Sequence, residues 1–307
     1  MVRFITDAEV SGCLSYSNVT SEIERAFNSL AHGRAAIKAR SRSDCGSVKL
    51  SSMGAIWPDA GLAGEKVYTT VEGRFAFLFN LFDLRDGAPL AVIQAGELTR
   101  VRTAALAVLA VSSGAAATAK LAVFGAGLQG RAFVEALTSA LPFERVDVVD
   151  LADVSAWCAD SSEKLQLPIR QCGAAEALKD ADVVVTITRS KKPLFDGALL
   201  KPGAFIAAFG ISLPNGSELD DKTLSRAARI VVEWKPQSCV EAGELVLNGL
   251  VGATPDPRVV DLVEIHSNNA VWRSAPDEIV VFKSVGVGLA DLAAASVVWR
   301  KLASSAP

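Results

Sequence analysis

Residues 120–130 read Lys-Leu-Ala-Val-Phe-Gly-Ala-Gly-Leu-Gln-Gly, and this stretch decides the fold that the sequence predicts. A short apolar strand breaks here into a glycine-rich turn that opens a helix. Each glycine of the GxGxxG spacing has a physical reason: Gly125 permits the tight turn, Gly127 lets backbone approach a pyrophosphate, and Gly130 lets the helix pack close to the strand. The unpaired N–H groups of the first helical turn then face the phosphates. The stretch therefore predicts a dinucleotide site.

The context of this turn favours a dinucleotide over the alternative, an ordinary strand-to-helix connection without a ligand. A helix candidate at 128–141 is followed by a strand at 145–149 that ends in Asp150, which completes a βαβ unit. An acidic residue about 20 positions past the last glycine is the expected partner of a ribose hydroxyl, the alternative being a solvated aspartate at a strand end. Its carboxylate would repel a 2′-phosphate, and residues 151–157 contain no Arg or Lys to neutralise one. NAD is therefore the predicted cofactor, and NADP is less favoured.

The composition bounds the class of protein. With 307 residues, half of them apolar, the chain exceeds a usual single domain, so one larger and one smaller domain are expected. A net charge of −3 without a basic stripe argues against a nucleic-acid partner. The sequence shows no leader and no apolar stretch long enough for a bilayer, which predicts a cytoplasmic protein without a membrane partner.

The cysteine and histidine content narrows the chemistry further. Five widely spaced cysteines without a CxxC pair predict free thiols. His32 and His266 are the two histidines, which nearly excludes a His-based zinc site, and no GxSxG element is present for a serine triad. We predict no metal site.

Hydrophobic patterning divides the chain into three regions. Residues 6–32 have helical spacing, whereas 35–98 form β-rich runs with glycine turns, which is typical of an antiparallel sheet with hairpins. Strand and helix candidates alternate from 103 to about 280, which is typical of a parallel sheet covered on both faces, and a closing helix is expected at 288–303. The predicted class is therefore α/β, a Rossmann-like doubly wound parallel sheet plus an α+β N-terminal domain. The predicted strands outside the βαβ unit are 47–50, 66–71, 74–83, 89–94, 182–187, 204–209, 229–233 and 278–283.

Arg102 is the cation that the sequence singles out for an anion site. We expect it to begin an Ala-rich helix, with Thr103 beside it. A guanidinium and a threonine hydroxyl at a helix start can both bind a carboxylate or a pyrophosphate. Other cations lie in the β-rich region, where a solvated sheet residue is the alternative for each. They are Arg40, Arg42, Lys49, Lys66 and Arg74.

Three motifs in this order resemble the ornithine cyclodeaminase and mu-crystallin family. Residues 98–105, LTRVRTAA, resemble its LTxxRTAA motif, and 125–129, GAGLQ, resemble its GAGxQ turn. Residues 282–286, FKSVG, followed by Asp291, resemble its FKSVGxxxxD element. The match covers most of the chain, and the three motifs together are far more specific than GxGxxG alone.

This resemblance implies an organisation and a set of activities. A substrate-binding and dimerisation domain at 1–104 would be completed by the C-terminal helix, 286–307, and a Rossmann domain at 105–285 would bind NAD(P). A homodimer is implied. The implied substrates are small amino or imino acids, which undergo ornithine cyclisation to proline, alanine-type dehydrogenation or reduction of cyclic ketimines.

The resemblance also implies site residues. Arg40 matches the family's substrate arginine, with Arg42 as the alternative because Lys38 replaces the usual proline. Lys66 matches the family's lysine, and Arg102 matches the arginine shared by substrate carboxylate and cofactor. One arginine fork and one ammonium can neutralise and orient a carboxylate. Further implied contacts are Val285 for the substrate and Thr103, Gly125, Ala126, Gly127, Leu128, Gln129, Asp150, Thr188, Gly210 and Ser284 for the cofactor.

One departure from the family pattern bears on the reaction. Cyclodeaminases carry an aspartate in a GxD element where this chain has Ser212. A serine hydroxyl is too weak a base near neutrality to manage the substrate amino proton. Mu-crystallin-like reductases resemble this chain in having serine there, and a protonated iminium needs hydride delivery more than a strong base. Glu218 matches the family's acidic residue, and we expect it to cap or pack the next helix.

The leading hypothesis is an NAD-dependent oxidoreductase that acts on a small imino or amino acid. In it Arg40, Lys66 and Arg102 hold the substrate carboxylate, Lys66 shuttles a proton, and Ser212 contributes a hydrogen bond. The first alternative is ornithine cyclodeaminase, a lyase that uses NAD without net redox. The second belongs to another class, a non-catalytic protein that binds NAD and a small ligand.

Overall fold

A computed structural model describes residues 2–252 and 254–303 of the protein. They form two compact units. The first contains the residues up to Leu106 together with the segment from Gly286, and the second is Ala107–Val285.

Each helix and strand belongs to one of these units, except α3, whose residues fall in both. Up to residue 114 the elements are, in chain order, β1 (Arg3–Ile5), α1 (Asp7–Cys13), α2 (Tyr16–Ala31), β2 (Ala36–Cys45), β3 (Val48–Trp57), a 3-10 turn (Pro58–Ala60), β4 (Leu62–Val71), β5 (Arg74–Asp83), β6 (Pro89–Gln94) and α3 (Gly96–Gly114). The later elements are β7 (Lys120–Phe124), α4 (Leu128–Ala140), β8 (Arg145–Val149), α5 (Ser155–Leu165), β9 (Ile169–Gln171), α6 (Ala174–Leu178), β10 (Val183–Thr186), a 3-10 turn (Gly197–Leu199), β11 (Phe205–Ala208), α7 (Asp221–Arg226), β12 (Ala227–Val232), α8 (Lys235–Glu241), α9 (Gly243–Val246), β13 (Val259–Asp261), α10 (Leu262–His266), β14 (Ile279–Lys283) and α11 (Gly288–Ala303).

The first unit is a sheet covered on one side by helices. Its strand order is β1-β6-β5-β4-β3-β2, antiparallel throughout except for the parallel pair β1 and β6. Helix α11 is buried along most of its length and packs on α2, β3 and β4. A Cβ on Gly288 would lie 2.7 Å from the backbone of Gly54, so only glycine lets the helix begin this close to β3. The close approach places Asp291, one turn further on, in the interior of the unit.

The second unit is a parallel sheet of order β13-β12-β14-β11-β10-β7-β8-β9. Strands such as β7 and β10 are buried at every position, as continuous apolar runs predict. Aromatic contacts lie on both faces: Phe124 packs on Phe195 on one side, and Phe133 packs on Phe209 on the other. The predicted doubly wound parallel sheet is therefore confirmed.

The strand order of this sheet also fixes where a ligand can bind. From β7 the chain builds outward to β8 and β9 on one side, and later to β10 and β11 on the other. In such sheets the ligand crevice lies beyond the carboxyl ends of the strands, where the order reverses. Gly125, Asp150, Thr188 and Gly210 follow the carboxyl ends of β7, β8, β10 and β11, so they lie at this edge.

The predicted elements differ from the structure mainly in the first unit. Strands β3 and β4 each have ten residues, whereas the sequence predicted 47–50 and 66–71. The predictions for β5, β6, β8 and α11 match their observed bounds. The sequence did not predict β1, β2, β9 or β13.

Candidate functional site

A buried cluster of charges lies inside the first unit. Lys66 on β4 donates a hydrogen bond from Nζ to Asp291 Oδ1 at 2.8 Å, and Arg102 on α3 donates from Nε to the same oxygen at 3.0 Å. Asp291 and Lys66 have 0% and 2% of their side chains exposed, and Arg102 has 7%. Asp291 Oδ2 is buried and has no hydrogen-bond partner among the described residues.

Arg40 joins this cluster because strand β2 contains a bulge. The register between β2 and β3 shifts between Lys38 and Ser41, so that two residues of β2 face Met53 alone. A bulge re-aims a side chain in this way. Arg40 Nη2 lies 3.5 Å from Met53 Sδ and donates to the carbonyl of Gly286 at 3.0 Å. Met53 is in turn the cross-strand partner of Lys66.

Arg40, the arginine that best matches the family pattern, thus contacts Met53, the strand partner of Lys66. Arg42 is the cross-strand partner of Ser51, further along the strand.

The pKa of Lys66 is lowered to about 7. Desolvation by burial is the largest cause, and the positive charges of Arg102 and Arg40 lower it further, whereas the Asp291 carboxylate raises it. The Lys66 ammonium also lies 5.4 Å from the ring centre of Phe77. An amine with this pKa can take up and release a proton near neutral pH.

The expectation that Arg102 begins the Ala-rich helix is wrong. Helix α3 begins at Gly96, so Arg102 lies in its second turn rather than at its start. The helix start is capped from far away in sequence, since Asp7 Oδ1 accepts a hydrogen bond from Glu97 N at 2.8 Å. The Thr103 hydroxyl donates to the carbonyl of Thr99 at 2.6 Å. The free N–H groups of the helix terminus therefore lie away from Arg102, and only its side chain could bind an anion.

The glycine turn of the second unit has the geometry that a pyrophosphate requires. Gly125 has a φ of +104°, which disfavours any residue with a Cβ. A Cβ on Gly130 would lie 1.8 Å from the Gly125 carbonyl oxygen, so α4 can pack this closely only on glycine. In contrast, a Cβ on Gly127 would meet no atom within 4 Å, which leaves open space in front of the helix N-terminus.

Asp150 and Gln129 border the same turn. Asp150 Oδ2 accepts a hydrogen bond from Ala126 N at 2.6 Å, and its Oδ1 accepts one from Ala152 N at 2.9 Å. Gln129 Oε1 is buried without a hydrogen-bond partner in the described part of the chain, an acceptor of the kind that a ligand or water satisfies. Leu128, between the turn and Gln129, is largely exposed. These residues fit a dinucleotide.

Two other predicted cofactor residues, Thr188 and Gly210, share one partner. Glu218 accepts hydrogen bonds from Thr188 N at 2.8 Å and from Gly210 N at 2.9 Å. Of the two roles expected for Glu218, capping or packing the next helix, the capping role is wrong, because Asp220 caps α7 by accepting from Thr223 N.

The last three predicted site residues also lie in the second unit. Ser212 is half-buried in the segment after β11, and the carbonyl of Ile211 before it accepts a hydrogen bond from Lys283 Nζ at 2.7 Å. Ser284 N donates to the Ala208 carbonyl at 3.0 Å, and Val285 N donates to Glu233 at 2.8 Å.

Sequence reasoning missed the roles of Asp291, Glu218, Glu244 and Lys283. Asp291 and Lys283 lie in the quoted C-terminal motif, which was the available signal, but their partners are distant in sequence. Within residues 2–252 and 254–303, no helix combines the length and apolar character needed to cross a membrane, and no group of three or more His, Cys, Asp or Glu could hold a metal ion.

Comparison with known proteins gives one family. The profile of the ornithine cyclodeaminase/mu-crystallin family matches residues 2–306. A Delta(1)-pyrroline-2-carboxylate reductase of Bacillus cereus is 33% identical over 228 residues, 72% of this chain and 69% of that protein. The ketimine reductase mu-crystallin of Rattus norvegicus is 31% identical over 226 residues, 73% of this chain and 69% of that protein.

Solved structures agree over nearly the whole length. A probable ornithine cyclodeaminase from Bordetella pertussis Tohama I is 40% identical with a TM-score of 0.94, covering 99% of this chain and 98% of that one. An archaeal alanine dehydrogenase, a dimer with bound NAD, is 27% identical with a TM-score of 0.91, covering 99% and 96%.

Proposed function

Because the chain belongs to the ornithine cyclodeaminase/mu-crystallin family, we propose that it is an NAD(H)-dependent oxidoreductase that reduces a small cyclic imino acid to the amino acid. The observation that carries this proposal is the buried cluster in which Lys66 and Arg102 both donate to the carboxylate of Asp291, with Arg40 bound to the carbonyl of Gly286 nearby. Buried charges require partners, and two buried cations that share one carboxylate, Lys66 and Arg102 on Asp291, leave positive charge for an anion. A substrate carboxylate supplies that anion, and a guanidinium binds it in a bidentate manner.

NAD(H) is the proposed cofactor. The open space at Gly127 and the first-turn N–H groups at the start of α4 suit a pyrophosphate, and Asp150 beside the turn suits a ribose diol. The similar alanine dehydrogenase structure contains NAD. When bound, NADH supplies the hydride.

The chain's own residues then have distinct tasks. Arg40 and Arg102 hold the carboxylate and so fix the carbon of the protonated C=N bond. As hydride adds to that carbon, the π electrons become the lone pair of nitrogen. Lys66 then gives its proton to this nitrogen and regains one from solvent, which its pKa of about 7 permits. We assign Ser212 a supporting hydrogen bond and Val285 a contact with the substrate.

A second candidate is ornithine cyclodeaminase. It is favoured by the 40% identity to the Bordetella pertussis protein described as a probable ornithine cyclodeaminase. Ser212, at the position where cyclodeaminases carry an aspartate, argues against it, since a serine hydroxyl does not accept an amino proton near neutrality.

NADH consumption with pyrroline-2-carboxylate or piperideine-2-carboxylate, measured beside ammonia and proline release from ornithine, separates the two reactions. We expect stoichiometric NADH oxidation with the cyclic imino acids. Ammonia release from ornithine without net NADH change would overturn the reductase proposal. A protein whose melting temperature rises with NADH, yet which turns over neither substrate class, would be a binding protein instead.

Variants of the cluster test the proposed site. Lys66→Ala and Arg102→Ala should each lower kcat/KM for the imino acid by about 100-fold, equivalent to about 2.7 kcal/mol. Arg74→Ala is the matched control, because Arg74 is exposed on the same sheet and pairs with Glu72. Unchanged kcat/KM in the first two variants would reject this site.

We also propose that the protein is a homodimer through the first sheet. The face of β3, β4 and β5 opposite α11 exposes Leu50, Ile56, Leu78 and Phe82 at 50%, 49%, 42% and 37%. A clustered apolar face of this kind marks an association surface. The similar alanine dehydrogenase is a dimer.

A further inference from the structure

Glu218 is a completely buried carboxylate that accepts four hydrogen bonds. Its Oε1 accepts from Thr188 N at 2.8 Å and from the Thr188 hydroxyl at 2.6 Å. Its Oε2 accepts from the Thr186 hydroxyl and from Gly210 N, both at 2.9 Å. One side chain thus joins the end of β10 to the end of β11.

A buried ion pair holds Glu218 and its segment in place. Glu218 N donates to Glu244 Oε1 at 3.2 Å, and Glu244 Oε2 lies 3.0 Å from Lys283 Nζ, with both side chains wholly buried. Lys283 Nζ in turn donates to the Ile211 carbonyl at 2.7 Å. The segment 210–218 is therefore anchored at Gly210, Ile211 and Glu218 itself.

These contacts determine the hydrogen-bonding role of Thr188. A hydroxyl has one proton to donate and two lone pairs. The Thr188 proton goes to Glu218, and one lone pair accepts from Ser190 N at 3.0 Å. What remains is one lone pair, so Thr188 can offer a ligand an acceptor but no donor. Its ligand partner is then an amide N–H or a hydroxyl, and a phosphate oxygen is excluded.

The same segments touch the glycine turn. A Cβ on Gly210 would lie 2.2 Å from Glu218 Oε1, and a Cβ on Gly125 would lie 2.6 Å from the Ile187 carbonyl oxygen and 3.1 Å from Thr188 Cγ2. A side chain at either glycine would therefore clash with atoms that surround Thr188. Because these atoms are closely packed, we expect a displacement of Thr188 to alter the ligand-binding end of the sheet.

We propose that Glu218 is the positioning residue of the dinucleotide site, which sets Thr188 as a hydrogen-bond acceptor for an N–H or O–H group of the nicotinamide nucleoside. This rests on the proposed NAD(H) binding. The carboxamide and the ribose of that nucleoside both carry such donors. Thr188 follows β10 and Asp150 follows β8, on opposite sides of β7, so the two residues would face different nucleosides of the dinucleotide.

Glu218→Gln tests the proposal, because the amide must turn its N–H₂ toward one of two backbone N–H donors, Thr188 N or Gly210 N. The dissociation constant of NADH, measured by fluorescence without any imino acid, should rise about tenfold or more, equivalent to about 1.4 kcal/mol. Asp220→Asn is the matched control, the same change in a carboxylate that caps α7. It should lower the melting temperature, because an amide N–H₂ in place of Oδ2 cannot accept from Gly197 N, and it should leave the NADH constant within about twofold.

Thr188→Val and Thr188→Ser keep the test decisive if Glu218→Gln does not fold. The valine removes the acceptor at nearly constant shape and should weaken NADH binding about tenfold, whereas the serine retains it and should recover most of the binding that the valine loses. Equal NADH constants for wild type, Thr188→Val and a folded Glu218→Gln would overturn the inference. If the wild-type protein meanwhile reduces imino acids, the proposed function stands and only the role of Glu218 fails.

Discussion

Asp291 sets the charge of the proposed carboxylate site, and Asp291→Asn tests that role. The substitution removes one negative charge 2.8 Å from Lys66 Nζ and 3.0 Å from Arg102 Nε while the shape of the side chain is kept. Burial and the two arginines already hold the pKa of Lys66 at about 7, and Asp291 is the group that opposes them. Without it, we expect the pKa of Lys66 to fall by about one to three pH units. That is about 1.4–4 kcal/mol.

The assay is the pH dependence of inhibition by pyrrole-2-carboxylate, a planar analogue without a titrating imine. In the wild type its inhibition constant should rise above about pH 7, where the Lys66 ammonium loses its proton. In Asp291→Asn the rise should begin about one to three pH units lower. The sign follows from the charge: a lower pKa leaves Lys66 neutral over more of the pH range, so the site loses a cation for the inhibitor.

Two controls exclude other causes of a changed inhibition profile. Asp83→Asn changes a buried carboxylate of the same sheet that pairs with Arg85, and its inhibition profile should match that of the wild type. Removing one partner of a buried ion cluster costs about 3–5 kcal/mol, so the melting temperature of Asp291→Asn is checked first, with Asp291→Glu as the charged alternative. An Asp291→Asn protein that folds and keeps the wild-type profile would refute the electrostatic reasoning.

Three further variants test the glycine turn, the preference for NADH and the dimer interface. Gly130→Ala forces a Cβ to within 1.8 Å of the Gly125 carbonyl oxygen and should raise the NADH dissociation constant at least about tenfold, whereas Gly12→Ala, with nothing within 4 Å, should leave it unchanged. Asp150→Ser should shift the kcat/KM ratio of NADPH to NADH upward by about tenfold, because the repelling carboxylate is gone; an unchanged ratio would mean that Asp150 does not face the ribose. Leu78→Lys should convert the dimer to a monomer in light scattering, while Leu247→Lys, an equally large change at an exposed leucine of the second unit, should not; a dimeric Leu78→Lys protein would place the interface elsewhere.

The second unit could be predicted from sequence because its strands are continuous apolar runs between turn signals. The strand 145–149 has the predicted bounds, and the glycine turn before α4 lies where its spacing indicates. Local pattern suffices for the central strands β7, β10, β11 and β14, since each of them is buried at every position.

The first unit was harder because long-range contacts set its boundaries. Strand β3 contains Ser51, Ser52 and Gly54, which carry little strand signal, and it is extended by pairing with β4. Helix α3 begins at Gly96 because Asp7, 90 residues away, caps Glu97 N.

The candidate site shows the same limit. The family motifs supplied Arg40, Lys66 and Arg102, but the contact of Lys66 with Asp291 spans 225 residues. Glu218 was misassigned because Asp220, two residues on, satisfies the helix cap that its position suggested. Partners joined only by the fold leave no periodic signal in a single sequence.

Isotope transfer shows whether hydride from NADH reaches the imino carbon of the substrate. The protein is incubated with pyrroline-2-carboxylate and NADH deuterated at the transferable position of C4, and the product is analysed by mass spectrometry. We predict proline with a single deuterium at the carbon next to the carboxylate, formed together with an equal amount of NAD⁺. Absence of labelled proline, in a protein that releases ammonia from ornithine with NAD unchanged, would contradict the assignment as an imino-acid reductase.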